Sequence, residues 1–324
     1  MRCFVTGGAG FIGSHFVDAL LARGDELVVF DNLSTGYEEN LAHHAPNERL
    51  LLVRGDLRDR DAVLEAMDGC DFVFHFAAYM NNLFRGDAHD TRIEIDHNII
   101  GTYHVLEAMR KLRVPRICYS SSATIYGDAQ VFPTPESYMP IQTSLYGASK
   151  FTGELYTEVF SNYFDIQSYI FRFVSWIGER YSHGVILDFV IKKLLRNPRE
   201  LEILGDGTQR KSFLYVSDGV AGVFRALEGF GDRVNVFNLG HTGYITVREI
   251  ADIVCDEMGL ENVRYRFTGG KVGWKGDAPF VHLDVTRVRG LGWEPKVGIE
   301  EGVRRTVRFL LENRDFFAKS DKVW

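Results

Sequence analysis

The chain has 324 residues, 45% hydrophobic and 25% charged, which is enough apolar material for a full core and the length of about two domains. Its formal net charge of −7, with no basic run or tail, argues against nucleic acid or anionic membrane as a partner. Cys3, Cys70, Cys118 and Cys255 are scattered and form no C-x-x-C, which argues against a disulfide framework or a cysteine-bound zinc. No apolar run approaches the roughly 20 residues of a membrane span. The opening "MRCFVTGG" lacks a signal-peptide layout. The expectation is a soluble cytoplasmic protein.

In chain order, "RCFVTG" reads as a short apolar strand, and "FIGSHFVDALLARG" has helical spacing ending at Gly24. "ELVVFDN" is a second strand and "LLLVRGD" a third, followed by the helical "RDRDAVLEAMDG". "DFVFHFAA" is a fourth strand. A long helical stretch over 91–113 leads to the strand "RICYSSS", the helix "SLYGASKFTGELYTEVFSNYF" and the strand "IQSYIFRF". Alternating helices and continuous apolar strands predict an α/β fold, a doubly wound parallel sheet covered on both faces. After Phe173 the pattern becomes irregular, with a short helix over 185–196 and glycine-rich turns. Residues 1–173 therefore read as a first domain. Residues 174–324 read as a smaller mixed α/β C-terminal lobe, with some segments returning to the first domain.

"VTGGAGFIG" closes the first strand and opens the first helix. Gly7, Gly10 and Gly13, with Phe11 and Ile12 between them, are placed so that backbone N–H groups can approach a phosphate at a helix start. Glycines alone signal only a turn, but the strand before and the helix after supply the context of a Rossmann dinucleotide site. The second strand ends in Asp31, whose carboxylate suits the two ribose hydroxyls of an adenosine and repels a 2′-phosphate. By itself Asp31 suits a turn cap equally well. The following segment, Asn32 with Ser34, Thr35 and Gly36, contains no Arg or Lys, which favours NAD over NADP. Asp56 and Leu57 follow the third strand, where an adenine would lie. Phe76, Ala77 and Ala78 follow the fourth, where small residues leave room for the dinucleotide.

Tyr146 and Lys150 in "YGASK" share one face of a helix. Their spacing is common by chance, but the pair opens the helix after the strand that ends in Ser120–Ser122. Strand C-terminal ends line the ligand crevice of a doubly wound sheet. A tyrosine with a reference pKa near 10 becomes a useful base only if its phenolate is stabilised. Lys150 and a positive nicotinamide ring would do this, a drop of about 2–3 pH units corresponding to roughly 3–4 kcal/mol. Tyr146 then takes a proton from a substrate alcohol while a hydride leaves the same carbon, and Ser122 holds or relays the hydroxyl proton.

"VTGGAGFIGSH", "DNLSTG", "GDL", "HFAA", "NIIGT", "SSSATIYG", "YGASK", "GDGTQRKSFLYVSD" and "LGWEP" span nearly the full chain. In this order they resemble the extended short-chain dehydrogenase/reductases of the nucleotide-sugar epimerase/dehydratase group, most of all the UDP-glucose 4-epimerases. The resemblance implies NAD as cofactor and a nucleotide sugar as substrate. It implies catalysis by Ser122, Tyr146 and Lys150, with Ser120 and Phe173 completing the cofactor set. It gives Asn98 a supporting role near the cofactor and matches Arg210 to the family's diphosphate-binding arginine. It implies a homodimer formed through the helices holding 91–113 and 144–163. Related dehydratases carry Asp-Glu just after the catalytic hydroxyl, and decarboxylases keep the Glu. Here Ala123 and Thr124 stand in those places, which points to a reaction that moves only a hydride and one proton, such as epimerisation at C4.

Two positions depart from the family pattern. Ser175 replaces the usual substrate-binding Asn, and "VGWKGD" replaces a usual Arg, leaving Lys271 or Lys275 as the cation. Val185 joins the candidate substrate set, and Val281 matches a position that lines the sugar pocket. His75 reads as a packed core residue. His43 and His44 read as a solvated loop pair, because no third ligand follows at a metal-site spacing; no metal is expected. "YMNNLFR" at 79–85 suits either a sugar contact or a loop. A dehydrogenase or ketoreductase using the same residues, and a non-catalytic NAD-binding protein, remain open alternatives.

Overall fold

The computed structural model describes residues 1–80, 90–274 and 276–319. Its first elements are β1 (Arg2–Thr6), α1 (Phe11–Ala22), β2 (Glu26–Asp31), β3 (Leu50–Arg54), α2 (Arg60–Met67) and β4 (Phe72–His75). Then come α3 (Gly101–Leu112), β5 (Arg116–Ser122), α4 (Leu145–Phe164) and β6 (Gln167–Phe173). β1, β2 and β4 are buried along nearly their whole length, as strands covered on both faces must be. α2 starts where the Asp59 carboxylate accepts from the backbone N–H groups of Asp61 and Ala62, both at 3.1 Å. The helix expected over 91–113 is observed in two parts, a π-helical segment Glu94–Ile100 and then α3.

The second half contains β7 (Ser175–Ile177), α5 (Val185–Leu187), β8 (Glu200–Ile203), β9 (Arg210–Lys211), β10 (Phe213–Tyr215) and α6 (Val216–Gly229). It continues with β11 (Val234–Leu239), β12 (Ile245–Thr246), α7 (Val247–Glu257), β13 (Arg264–Phe267) and β14 (Phe280–Val281). It ends with α8 (Thr286–Arg289), α9 (Ile299–Glu312) and α10 (Arg314–Lys319). The helix expected over 185–196 is α5 followed by a π-helical segment, Asp188–Leu194.

A seven-stranded sheet has the order β11-β6-β5-β4-β1-β2-β3, and the neighbours from β3 through β2, β1 and β4 to β5 pair in parallel. This is the doubly wound order expected from the sequence. Alternation along the strands sends side chains to two faces. Phe4, Val28, Phe30 and Val73 pack with Val63 and Met67 of α2 and Val105 and Met109 of α3. On the other face Phe16 of α1 packs against Phe74 and Phe76, with ring centroids 6.1 and 4.3 Å away. Strand order reverses between β1 and β4, so the crevice that binds ligands in such sheets opens at their C-terminal ends.

By density of internal contacts the chain divides into two units. The first comprises Met1–Ile125, Leu145–Arg172 and Val223–Phe237; the second comprises Tyr126–Ser144, Phe173–Gly222 and Asn238–Trp324. Within the second, β7 pairs with β10, β8 pairs with β13, and β9 lies between β12 and β14. Thr246 and Glu249 form a reciprocal capping box that starts α7. Val303, Val307 and Leu310 give α9 its buried face. No helix among the described residues is long and apolar enough to cross a membrane.

Candidate active site

The turn from β1 into α1 is closed by two glycines that no other residue could replace without movement. Gly7 has φ +69°, and a Cβ on it would lie 2.7 Å from the Ala77 nitrogen. A Cβ on Gly13 would lie 2.1 Å from the Gly7 carbonyl oxygen. The glycines thus let the turn pass against the chain leaving β4. Gly10, the N-cap of α1, makes no side-chain cap. A helix start of this kind presents backbone N–H groups, here in the Phe11–Gly13 turn, to an anion such as a pyrophosphate.

Asp31 is buried and already structural. Its two oxygens accept from the backbone N–H groups of Ala9 at 3.0 Å and Leu33 at 2.8 Å. A carboxylate has about four acceptor sites, so holding this turn does not by itself exclude ribose hydroxyls. The cap and ribose readings of this residue are therefore compatible. Asn32 accepts from the Ser34 N–H at 3.0 Å, and Ser34 and Thr35 are exposed while Gly36 is buried. Asn32 also donates to Asp56 at 3.0 Å. Arg58 grips Asp56 with two guanidinium hydrogen bonds of 3.0 and 2.9 Å, which hold that carboxyl well below the usual range. The sequence reading did not single out Arg58. Leu57 packs against Gly101 and accepts through its carbonyl from His104 at 2.7 Å. The Ala77 N–H donates to Thr6 at 3.2 Å, and Ala78 follows it, partly exposed. Glycine turn, acidic β2 terminus and small residues after β4 together fit a dinucleotide.

At the end of β5, Ser120 donates to the His75 carbonyl at 3.1 Å. His75 is a core residue, as expected. Its ring lies between Thr6 at 2.6 Å and Thr102 at 2.9 Å, and burial pushes its pKa down to about 3, with Lys150 adding to the effect. Ser122 is partly exposed. Its oxygen accepts from the backbone N–H of Thr124 at 3.2 Å and from the Thr124 hydroxyl at 2.9 Å. With both bonds received, the Ser122 proton is left to donate elsewhere. Thr124 thus orients Ser122, a role the sequence reading missed because it weighed Thr124 only as a missing acid.

α4 lies against β5 where the Tyr119 hydroxyl donates to the Lys150 carbonyl at 3.2 Å. The Lys150 ammonium sits 4.7 Å above the Tyr119 ring and is 2% exposed, while Tyr146 one turn earlier stays partly exposed. Asn98 donates to Ser149 at 2.9 Å and to the Tyr79 carbonyl at 2.8 Å, and accepts from the Tyr79 N–H at 2.7 Å. The π-helical segment is thereby tied to the start of α4. The expected depression of the Tyr146 pKa is not found in the chain by itself. Burial pushes the phenol up to about 12 and the Lys150 ammonium down to about 7, Glu154 opposing the latter. Desolvation disfavours the phenolate and the ammonium alike.

The remaining candidates lie in the second unit. Phe173 packs on Trp176 at 4.3 Å, Ser175 is exposed on β7, and Val185 opens α5. Arg210 is exposed and stacks 4.0 Å over Phe280, its parallel partner in β14. Lys211 points to the opposite face and is bound by Asp277 at 2.6 Å. Val281 is half-buried opposite Lys211. Lys275, and residues 81–85 of the "YMNNLFR" segment, lie outside the described residues.

His43 and His44 share a side-chain partner. Both rings meet Asp18 of α1, at 2.9 and 2.8 Å.

Four similarities place this arrangement. Residues 3–240 match the model of the NAD dependent epimerase/dehydratase family. A putative UDP-glucose 4-epimerase from Methanocaldococcus jannaschii is 32% identical over 95% of this chain and 98% of its own, and UDP-glucuronic acid decarboxylase 4 of Arabidopsis thaliana is 33% identical over 95% and 68%. A crystal structure of a UDP-galactose 4-epimerase superposes with a TM-score of 0.86 at 37% identity, covering 97% of this chain and 99% of that one. With the glycine turn, the acidic end of β2 and the Ser-Tyr-Lys set in the family's order, the chain belongs to the NAD-dependent epimerase/dehydratase family.

Proposed function

We propose that the protein epimerises a nucleotide-activated hexose at C4, of the UDP-glucose/UDP-galactose type, through a transient 4-keto sugar. The observation that carries this reading is the end of β5. Elimination and decarboxylation in relatives use acidic residues after the catalytic hydroxyl, whereas here Ala123 is apolar and the Thr124 hydroxyl is engaged in orienting Ser122. When bound, NAD supplies a site that takes up one hydride and gives it back. Tyr146 Oη accepts the C4 hydroxyl proton and later returns it. The Ser122 hydroxyl, its lone pairs occupied by Thr124, donates to the sugar oxygen. Lys150 supplies the positive charge that lets Tyr146 ionise despite a resting pKa of about 12. Gly7, Gly10, Phe11, Ile12 and Gly13 are assigned to the pyrophosphate, and Asp31 to the adenosine ribose. Arg210 is assigned to the substrate diphosphate and Val281 to the sugar.

The same unit supports a dimer proposal. Leu155, Tyr156, Val159 and Tyr163 of α4 are exposed, with Ile95 and Tyr103 beside them. Tyr103 and Tyr156 are 6.5 Å apart, so these positions join into one apolar face. We assign it to a second copy of the chain; light scattering at the mass of one chain would reject this.

A substrate deuterated at C4 tests the reaction. Epimerisation keeps the deuterium, inverts C4 and leaves the mass unchanged. Stoichiometric release of NADH instead identifies a dehydrogenase, the second reading that Ser122, Tyr146 and Lys150 support. Loss of one water identifies elimination and overturns the reading of Ala123 and Thr124.

A further inference from the structure

We propose that Asp18, His43 and His44 form a binding site for one divalent transition-metal ion of the zinc–copper class. The site joins α1 to the turn that follows β2. His43 and His44 end a 3-10 segment, Glu38–His44, that Leu41 anchors in the core. Successive side chains of such a turn diverge by about 120°, yet both Nε2 atoms meet the same oxygen, Asp18 Oδ1, at 2.9 and 2.8 Å. The two rings are 4.0 Å apart, and the three ligand atoms lie within 4.8 Å of one another. No other group of three histidine, cysteine or acidic side chains converges in this way among the described residues.

The donor set selects the ion. Imidazole suits zinc, copper and nickel, whereas magnesium and calcium require six or more oxygens, which this site does not offer. Zinc–nitrogen and zinc–oxygen bonds of about 2.0–2.2 Å place tetrahedral ligands about 3.4 Å apart. The present spacing is shorter by about half an ångström, and partly exposed side chains can open by that much. The ion would displace the imidazole protons now shared with Asp18, and three protein ligands leave its fourth position to water. The site also has a mechanical setting. The Tyr37 N–H and the Asn40 side chain both donate to the Ala9 carbonyl, at 3.0 and 2.9 Å. A bound ion would therefore brace the segment that closes behind the glycine turn.

The test is calorimetric titration of the tag-free full chain with Zn²⁺, with Mg²⁺ as the hard-cation comparison. One Zn²⁺ per chain is expected, with a raised melting temperature and no response to Mg²⁺. In the folded double variant His43→Gln/His44→Gln, affinity should fall by at least about tenfold. Absence of Zn²⁺ binding by the wild type, or a smaller loss in the variant, overturns the proposal. Imidazole NMR of the unmodified chain gives a measure independent of variant folding. Zn²⁺ should shift the ring signals of two of the ten histidines; shifts at other histidines, or none, also overturn it.

Discussion

Replacing Lys150 by methionine should stabilise the protein while it destroys activity. In the folded chain burial lowers this ammonium from an ordinary value of 10.5 to about 7. Each tenfold difference in proton affinity is worth about 1.4 kcal/mol, so at pH 7 the buried lysine disfavours folding by about 4 kcal/mol. Methionine keeps most of the volume and removes that cost. It also forfeits the cation–π contact with Tyr119, worth about 2 kcal/mol when desolvated. The net gain is about 2 kcal/mol, or a melting temperature about 4 °C higher for a chain of this size. The sign follows from linkage. Between pH 7 and 10.5 the unfolded chain keeps a proton that the folded chain has released, so wild-type stability rises with pH through this window. The Met variant lacks this rise, so its advantage should be largest below pH 7 and be gone by about pH 9. Calorimetric melts of both cofactor-free proteins across that range measure the difference. A lower melting temperature for the variant at pH 7, or an advantage that does not shrink with pH, would refute the reasoning.

Tyr146→Phe removes only the ionisable oxygen; turnover should fall by about 10²–10⁴-fold with NAD affinity nearly unchanged, as equilibrium binding would show. Near wild-type turnover would place the base elsewhere. Asp31→Ala leaves the buried N–H groups of Ala9 and Leu33 without their acceptor, at a cost of about 1–3 kcal/mol for each. It should therefore lower the melting temperature as well as weaken NAD. If the wild-type protein binds NADP as tightly as NAD, the ribose assignment of Asp31 is wrong.

What the sequence determined by itself is what local pattern can encode. Continuous apolar strands alternating with helical spacing specify a parallel sheet, because only strands covered on both faces read that way. Gly7 and Gly13 mark the turn at its switch point because a Cβ cannot fit there, and four-residue spacing puts Tyr146 and Lys150 on one helix face. Tertiary packing and the geometry of local turns decided the rest. Burial, which depends on β5 and α4 meeting at Tyr119, pushes the Tyr146 phenol up in the chain by itself, where the sequence pointed to a depression with Lys150 and a nicotinamide beside it. Arg58 grips Asp56 only because the chain curls back after β3, and Thr124 reaches Ser122 only because the strand ends in a tight turn. Asp18 stands 25 residues before His43 in sequence and 2.9 Å from it in space. Spacing along the chain carries no trace of that contact, because it exists only once α1 has packed beside the segment that follows β2.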